Sequence, residues 1–160
     1  MTTIAYDGKS LVSDSRSCIG DMIYEEDAQK IFPDVGPFVA LGIAGDYQAA
    51  MDTIEMISPF TTMDHIRSIP SKDIGNVSLL GVTLDGRLWS YAGDKSCELR
   101  SDKPFAVGSG SIWAMAAMDF GESAEDAVVF AATKDPYTND IVQVATFVSP
   151  EEVTEEVTQH

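Results

Sequence analysis

The second residue of the chain, Thr2, could act as a hydroxyl nucleophile if Met1 were removed. A threonine hydroxyl needs a base at neutral pH, and the residue's own α-amine, with a pKa of about 8, can serve as one. Only an N-terminal threonine, serine or cysteine combines the two groups, and Thr2 is small enough for a methionine aminopeptidase to expose it. Threonine follows Met1 in many ordinary proteins, so Thr2 alone does not indicate an enzyme.

A carboxylate and a cation follow Thr2 at a spacing that could serve this chemistry. Asp14 lies in the segment Ser13–Gly20, whose sequence is SDSRSCIG, and Lys30 stands sixteen residues after Asp14. A cation beside the threonine hydroxyl lowers the free energy of its alkoxide, and a carboxylate keeps that cation oriented. Asp14 and Lys30 alone would equally fit a surface ion pair, which contributes under about 1 kcal/mol.

The segment Ser13–Gly20 and Lys30 together resemble the family of proteasome β-subunits and bacterial HslV peptidases. In that family a short N-terminal hairpin leads into an Ala-Asp-x-Arg-x-Thr-x-Gly motif and then a buried lysine. This chain departs from the motif at Ser13 and Cys18. It retains three of its residues, Asp14, Arg16 and Gly20. The resemblance implies a threonine-type endopeptidase, an N-terminal nucleophile (Ntn) hydrolase that forms an acyl-enzyme ester on Thr2.

The segment Ala40–Gly45, with the sequence ALGIAG, resembles the strand of the same family that ends beside the nucleophile. By that resemblance the backbone N–H of Gly45 lies in the oxyanion hole, where a glycine lets the substrate carbonyl approach closely. Ile43 would shape the specificity pocket. Asp46 would line it as well, at a place where the family usually has a small residue. A strand end of small residues packed against a helix would explain the same pattern.

Two later segments also resemble this family. Gly108–Ser111 (GSGS) is similar to its Gly-Ser-Gly turn, which implies that the Ser109 hydroxyl lies near the threonine amine. Asp135–Asn139 (DPYTN) blends the proteasome pattern Asp-x-x-Ser-Gly-Gly with the HslV pattern Tyr-Thr-Asn. Asp135 and Thr138 would then hold the threonine amine and the Ser109 hydroxyl in place. Taken singly, the two segments also fit a helix N-cap and a tight Asp-Pro turn.

The elements that must position these residues follow from turn signals and hydrophobic periodicity. Asp7-Gly8 lies between apolar residues and predicts a hairpin from Thr2 to Asp14. The other predicted strands are a pair at 21–25 and 28–32, a strand buried on both faces at 38–44, a hairpin of 77–84 and 87–92 across Asp85-Gly86, and a last strand at 141–148. The predicted helices run from an Asp46 cap to about Ser58, over 63–68 before Pro70, over 111–120, and from a Ser123/Asp126 capping box to Thr133.

This order of elements lacks a repeating βα alternation, so it indicates an α+β fold with antiparallel sheets and helices packed outside them. The family resemblance implies a more specific arrangement, a four-layer αββα Ntn-hydrolase sandwich of two antiparallel sheets flanked by helices. We expect one such domain over residues 1–148, followed by an acidic C-terminal tail at 149–160.

Composition excludes several classes of function. The chain has 26 acidic and 10 basic side chains and a net charge of −16, which would repel a nucleic-acid backbone. The two cysteines, Cys18 and Cys97, form no CxxC pair, and the two histidines, His65 and His160, are not spaced as metal ligands, so no metal or other cofactor is expected. No signal peptide or membrane span is apparent, which favours a cytoplasmic protein.

The resemblance implies peptide or unfolded-protein substrates, a homo-oligomeric ring and a possible ATP-dependent unfoldase partner. Two other functions remain open at this point. If Met1 is retained, its amide cannot act as a base, and the chain would be a catalytically silent structural or assembly subunit. A small-molecule Ntn amidohydrolase would instead be a monomer or dimer with an open site. The state of the N-terminus separates the first alternative from a peptidase.

Overall fold

The computed structural model describes residues 2–69, 77–92 and 95–147, so the predicted acidic tail and Pro70 lie outside it. Its strands are β1 (Thr3–Tyr6), β2 (Ser10–Ser13), β3 (Ser17–Ile19), β4 (Met22–Glu25), β5 (Ile31–Val35), β6 (Phe38–Gly45), β7 (Val77–Thr83), β8 (Leu88–Ala92), β9 (Lys95–Leu99), β10 (Phe105–Gly108) and β11 (Gln143–Thr146). Its helices are α1 (Tyr47–Ile57), α2 (Met63–Arg67), α3 (Ser111–Asp119) and α4 (Ala124–Ala132).

Two antiparallel sheets form the centre of the molecule. The first has the strand order β10-β1-β2-β11, and the second has the order β5-β6-β7-β8-β9. Among the described strands, β3 and β4 pair only with each other and form a short hairpin between β2 and β5 in the chain. The hairpin of β1 and β2 and that of β7 and β8 were predicted, and both are confirmed.

Alternation along the strands directs side chains into three apolar layers. In β1, Ile4 packs between the two sheets, whereas its neighbour Ala5 packs against the helices. The layer between the sheets joins residues of both: Ile4, Tyr6, Leu11, Ala40, Leu80, Val82 and Leu88. The outer face of the first sheet packs on α3 and α4, and the outer face of the second packs on α1 and α2. The expected four-layer αββα sandwich is therefore confirmed.

Small residues bring these layers close together. A Cβ added at Gly42 of β6 would lie 2.8 Å from a methyl carbon of Ile4 in the facing sheet. The helix layer over the first sheet is rich in fully buried alanines, including Ala114, Ala124 and Ala127. This close packing fixes the distance between the ends of β2, β5 and β6, where the candidate site lies.

The predicted pairing of 21–25 with 28–32 is wrong. Residues 22–25 pair with β3, and residues 31–35 pair with β6. Gly20 has a φ of 59°, so Gly20 and Asp21 form the turn of the hairpin rather than the start of a strand. Strands β3, β9 and β10 were not predicted, and β11 is shorter than expected, with Val148 outside the described residues.

The predicted helices are confirmed, as are Asp46 and Ser123 as N-caps. Asp46 accepts a hydrogen bond from the Ala49 N–H at 2.9 Å and starts α1, which ends before Ser58. Ser123 accepts one from the Asp126 N–H at 3.1 Å and starts α4. The Asp46 cap directly follows Gly45, so the end of β6 and the first turn of α1 form one wall of the candidate site.

Candidate active site

Thr2 lies just before β1, and its side chain meets the side chain of Lys30. The Lys30 Nζ donates to Thr2 Oγ1 at 2.5 Å and to Asp14 Oδ1 at 2.9 Å, and it also donates to the Arg16 carbonyl oxygen. Asp14 directly follows β2 in the first sheet, and Lys30 directly precedes β5 in the second. Lys30, named as the alkoxide stabiliser, thus contacts both the nucleophile Thr2 and the orienting carboxylate Asp14.

Backbone N–H groups fix the carboxylate of Asp14. Its side chain is fully buried and accepts from the N–H of Thr3 at 3.2 Å, through the same oxygen that faces Lys30. The other oxygen accepts from the N–H groups of Arg16 and Asn139, each at 3.1 Å. With both oxygens occupied, the carboxylate holds one orientation towards Lys30.

Burial lowers the pKa of Lys30 from its usual value, because the interior disfavours the ammonium form, and the nearby charge of Asp14 partly opposes this effect. Only 8% of the Lys30 side chain is accessible to solvent. A cation with so little water around it interacts strongly with a developing alkoxide on Thr2.

A second chain of hydrogen bonds reaches the nitrogen of Thr2. The Thr2 N–H donates to Ser109 Oγ at 3.2 Å, and the Ser109 hydroxyl donates to Asp135 Oδ2 at 2.5 Å. The Thr138 hydroxyl donates to the same oxygen of Asp135 at 2.6 Å and lies 2.8 Å from Thr3 Oγ1. Asp135 thus reaches the Thr2 nitrogen through Ser109, and Thr138 contacts Thr3 rather than Ser109.

The glycines on either side of Ser109 make this contact possible. Gly108 has a φ of 100°, and a Cβ there would clash with the carbonyl oxygen of Thr2. A Cβ at Gly110 would clash with the Thr3 hydroxyl. The backbone of the turn can therefore lie directly against residues 2 and 3 only with glycine at both positions.

A cavity of about 710 Å³ opens beside Thr2. Lys30, Ile43, Gly45 and Asp46 line it together with the nucleophile. Gly45 is the last residue of β6 and has a φ of 121°, a conformation that residues with a side chain rarely adopt. The residues named for the oxyanion hole and the specificity pocket are therefore brought to one cavity with Thr2.

Comparison with solved structures places the fold of this chain in a known architecture. The sequence matches no family model and no curated protein. Among solved structures, the eukaryotic HslV of Trypanosoma brucei is similar at 19% identity with a TM-score of 0.69, over 90% of this chain and 97% of that one. The chain has the Ntn-hydrolase fold of HslV and the proteasome.

Two structures of BPH from Thiobacillus denitrificans also share the HslV fold. One is similar at 19% identity with a TM-score of 0.68, over 93% of this chain and 98% of that one. The other, BPH in complex with epoxomicin, is similar at 18% identity with a TM-score of 0.68, over 91% and 97%. In this HslV-type fold, the four segments that carry the sequence resemblance meet, together with Lys30, at one end of the two sheets.

Sequence reasoning missed several polar residues that support the site of this HslV-type fold. Asn139 contacts Asp14 through its N–H, and its side chain accepts from the Ser15 N–H at 2.9 Å and donates to Glu26. Glu26 also forms an ion pair with Arg16 at 3.0 Å. Gln143, at the start of β11, contacts the backbone of Lys30 at 2.9 Å. Asn139 was visible as the end of the Tyr-Thr-Asn pattern, but no local pattern marked Glu26 or Gln143.

Within the described residues of this HslV-type fold, no group of three or more His, Cys, Asp or Glu side chains could hold a metal ion. His65 packs its ring against Phe60, with the ring centres 5.5 Å apart, and His160 lies outside the described residues. None of the helices in the described parts of the chain is both long and apolar enough to cross a membrane.

Proposed function

We propose that this protein is a threonine-type endopeptidase that hydrolyses peptide bonds through an acyl-enzyme on Thr2 after Met1 is removed. The observation that carries the proposal is the contact of 2.5 Å between Lys30 Nζ and Thr2 Oγ1 beside a cavity of about 710 Å³. Similarity in fold to HslV and to BPH, which has been solved in complex with epoxomicin, supports the same reaction class.

The reaction begins with the free α-amine of Thr2, which takes the proton from the Thr2 hydroxyl, directly or through a water molecule. Lys30 stabilises the alkoxide, which adds to the carbonyl carbon of the substrate. The negative oxygen of the tetrahedral intermediate accepts a hydrogen bond from the N–H of Gly45. The C–N bond then breaks, the leaving amine takes the proton from the Thr2 ammonium, and an ester remains on Thr2.

Hydrolysis of the ester uses the same groups in reverse order. The Thr2 amine accepts a proton from water, and the hydroxide adds to the ester carbonyl. The C–O bond to Thr2 breaks, the carboxylic acid product leaves, and the proton returns to Thr2 Oγ1. Lys30 and the Gly45 N–H stabilise the negative oxygens in both steps, so one arrangement serves acylation and deacylation.

Ser109 and Asp135 support the amine in this scheme. Because the Ser109 hydroxyl donates to Asp135 at 2.5 Å, its oxygen has lone pairs free to accept from the Thr2 nitrogen. An acceptor at this place orients the amine and favours its protonated form, which appears in each proton transfer. The state of the N-terminus is decisive, because a retained Met1 would turn this amine into an amide that cannot accept a proton.

We further propose that the peptidase acts as a homo-oligomeric ring on unfolded or peptide substrates in the cytoplasm, with an ATP-dependent unfoldase as a possible partner. The family resemblance and the similarity in fold to HslV support the ring. The exposed apolar residues of the β3–β4 hairpin support an interface on that side: Ile19, Met22, Ile23 and Tyr24. Light scattering after size exclusion would measure the assembly.

Hydrolysis of fluorogenic peptides tests the proposed reaction. Thr2→Ser keeps an amine and a hydroxyl on one residue and should retain turnover, whereas Thr2→Ala should abolish it without loss of the folded state. Circular dichroism and thermal unfolding serve as controls for folding. Equal turnover by the wild type and Thr2→Ala would rule out Thr2 as the nucleophile and with it the proposed function.

A further inference from the structure

We propose that Gln143 is a positioning residue that holds Lys30 against Thr2 by tying together the two backbone segments that carry Asp14 and Lys30. The proposal rests on the peptidase function proposed above and adds a residue to it. Gln143 is the first residue of β11 and pairs with Ser13 of β2. It therefore lies on the first sheet, next to Asp14, while its side chain reaches the second.

The Lys30 backbone needs such support because it lies outside the regular ladder of its sheet. Pairing between β5 and β6 begins at Ile31 opposite Gly42, and residues 26–30 belong to no strand or helix. The Ile43 N–H donates to the Lys30 carbonyl oxygen at 3.1 Å, but the Lys30 N–H has no backbone acceptor among the described residues. That N–H donates to Gln143 Oε1 at 2.9 Å.

The amide of Gln143 serves both segments at once. On the lysine side, Oε1 also accepts from the Ile31 N–H at 3.3 Å, and Nε2 donates to the Ala28 carbonyl oxygen at 2.6 Å. On the aspartate side, Nε2 donates to Ser15 Oγ at 2.9 Å. The side chain has one oxygen and two N–H groups, and these contacts occupy all of them.

The geometry of Lys30 depends on these contacts because Nζ must lie within hydrogen-bond reach of two atoms on different segments, Thr2 Oγ1 and Asp14 Oδ1. A displacement of the reacting groups by about 1 Å can lower a rate by about a hundredfold. Gln143 does not line the cavity beside Thr2, so it has no direct contact with substrate there. It acts on the reaction through the position of Lys30.

Gln143→Met tests the proposal, because methionine has a similar length but makes none of these hydrogen bonds. We expect kcat to fall about tenfold to hundredfold with KM within about twofold of the wild type. Gln143→Asn keeps the amide on a side chain that is one methylene shorter, so it should also lower kcat. This variant tests the proposal if Gln143→Met does not fold. Val12→Ala, in the strand that pairs with β11, is the stability control and should leave kcat unchanged.

A second measurement does not depend on turnover. The pKa of Lys30 can be measured by carbon NMR of labelled lysine Cε, and it reports whether Lys30 Nζ stays buried. In the wild type the pKa of Lys30 is lowered by burial. In Gln143→Met and Gln143→Asn it should move back towards its usual value as water reaches Nζ, whereas in Val12→Ala it should not move.

The outcomes separate this inference from the proposed function. A wild type that titrates as expected but cleaves no peptide contradicts the peptidase function, and the NMR comparison still decides the role of Gln143. An active wild type whose Gln143 variants keep both kcat and the Lys30 titration overturns the positioning role alone. The positioning role would also be overturned if kcat of the Gln143 variants fell only in proportion to their loss of stability and Val12→Ala lost kcat to the same extent.

Discussion

Asp14 directly follows β2 of the first sheet and Lys30 directly precedes β5 of the second, and their ion pair of 2.9 Å links the two sheets beside Thr2. The Asp14 side chain is fully buried and 8% of the Lys30 side chain is exposed, so the pair lies in an interior where each charge depends on the other. The site and the packing of the two sheets are therefore coupled, and a change in either residue should affect both turnover and stability.

Lys30→Met should abolish peptide turnover and lower the free energy of unfolding by about 3–5 kcal/mol, because it leaves the Asp14 charge buried without its partner. Turnover with a fluorogenic peptide and urea unfolding would measure the two effects. The double variant Lys30→Met with Asp14→Asn should regain part of the stability and none of the turnover. A single variant as stable as the wild type would contradict the buried ion pair.

The stability of the protein should depend on pH through Lys30. Its pKa is lowered by burial from the usual 10.5, so between the folded pKa and 10.5 the unfolded chain holds a proton that the folded chain has released. The contribution of Lys30 to the free energy of unfolding should therefore rise with pH between its folded pKa and 10.5, by at most about 1.4 kcal/mol per pH unit. Urea unfolding of the wild type and Lys30→Met from pH 7 to pH 10 isolates this contribution, and a difference that falls with pH would contradict it.

Ser109→Ala should lower kcat about tenfold to hundredfold, because the Thr2 amine loses the acceptor that orients it. The acidic limb of the pH-rate profile should also move to lower pH, since loss of that acceptor disfavours the protonated amine. Ser111→Ala, at the first residue of α3 directly after the turn, is the matched control. An acidic limb that stays in place in Ser109→Ala would argue against contact between Ser109 and the amine.

Asp46 should favour a basic side chain in the substrate residue that enters the cavity beside Thr2. Lys30 and Arg16 line that cavity but are paired with Asp14 and Glu26, whereas Asp46 has no ion-pair partner among the described residues. Arginine and citrulline substrates have the same shape and differ in charge, so their ratio of kcat/KM measures this preference.

In Asp46→Asn the ratio of arginine to citrulline turnover should fall by about fivefold or less, because an exposed pair contributes under about 1 kcal/mol. Asparagine caps helices as well as aspartate does, so α1 should keep its N-terminus. Equal use of the two substrates by the wild type would contradict a role for Asp46 in specificity.

Much of the fold could be predicted because local signals and burial agreed. The Asp7-Gly8 turn gave the first hairpin, and the Asp46 cap gave α1. The hairpin at Gly20 was missed because its first strand, β3, has only three residues and was not recognised, so residues 21–25 were paired with the segment that follows them. Strand β9 has the partly charged sequence KSCEL, and its residues 96–98 are all exposed, so it lacks the alternation of a half-buried strand.

The candidate site could be predicted only where the chain carries a recognisable motif. Asp14, Lys30 and Ser109 stand in such motifs, and the structure brings them to Thr2. Gln143 stands alone in the last strand, and its contacts reach backbone atoms more than a hundred positions away in the sequence. Contacts of a side chain with distant backbone depend on how the two sheets pack, which no local pattern encodes.

Intact mass of the purified protein, before and after incubation with epoxomicin, tests the peptidase proposal most directly. An epoxyketone needs a free amine and a hydroxyl on the same threonine to form its stable adduct. We predict a mass without Met1 that gains one inhibitor per chain, and no gain in Thr2→Ala. A chain that retains Met1 and gains no inhibitor would contradict the account and favour a catalytically silent subunit.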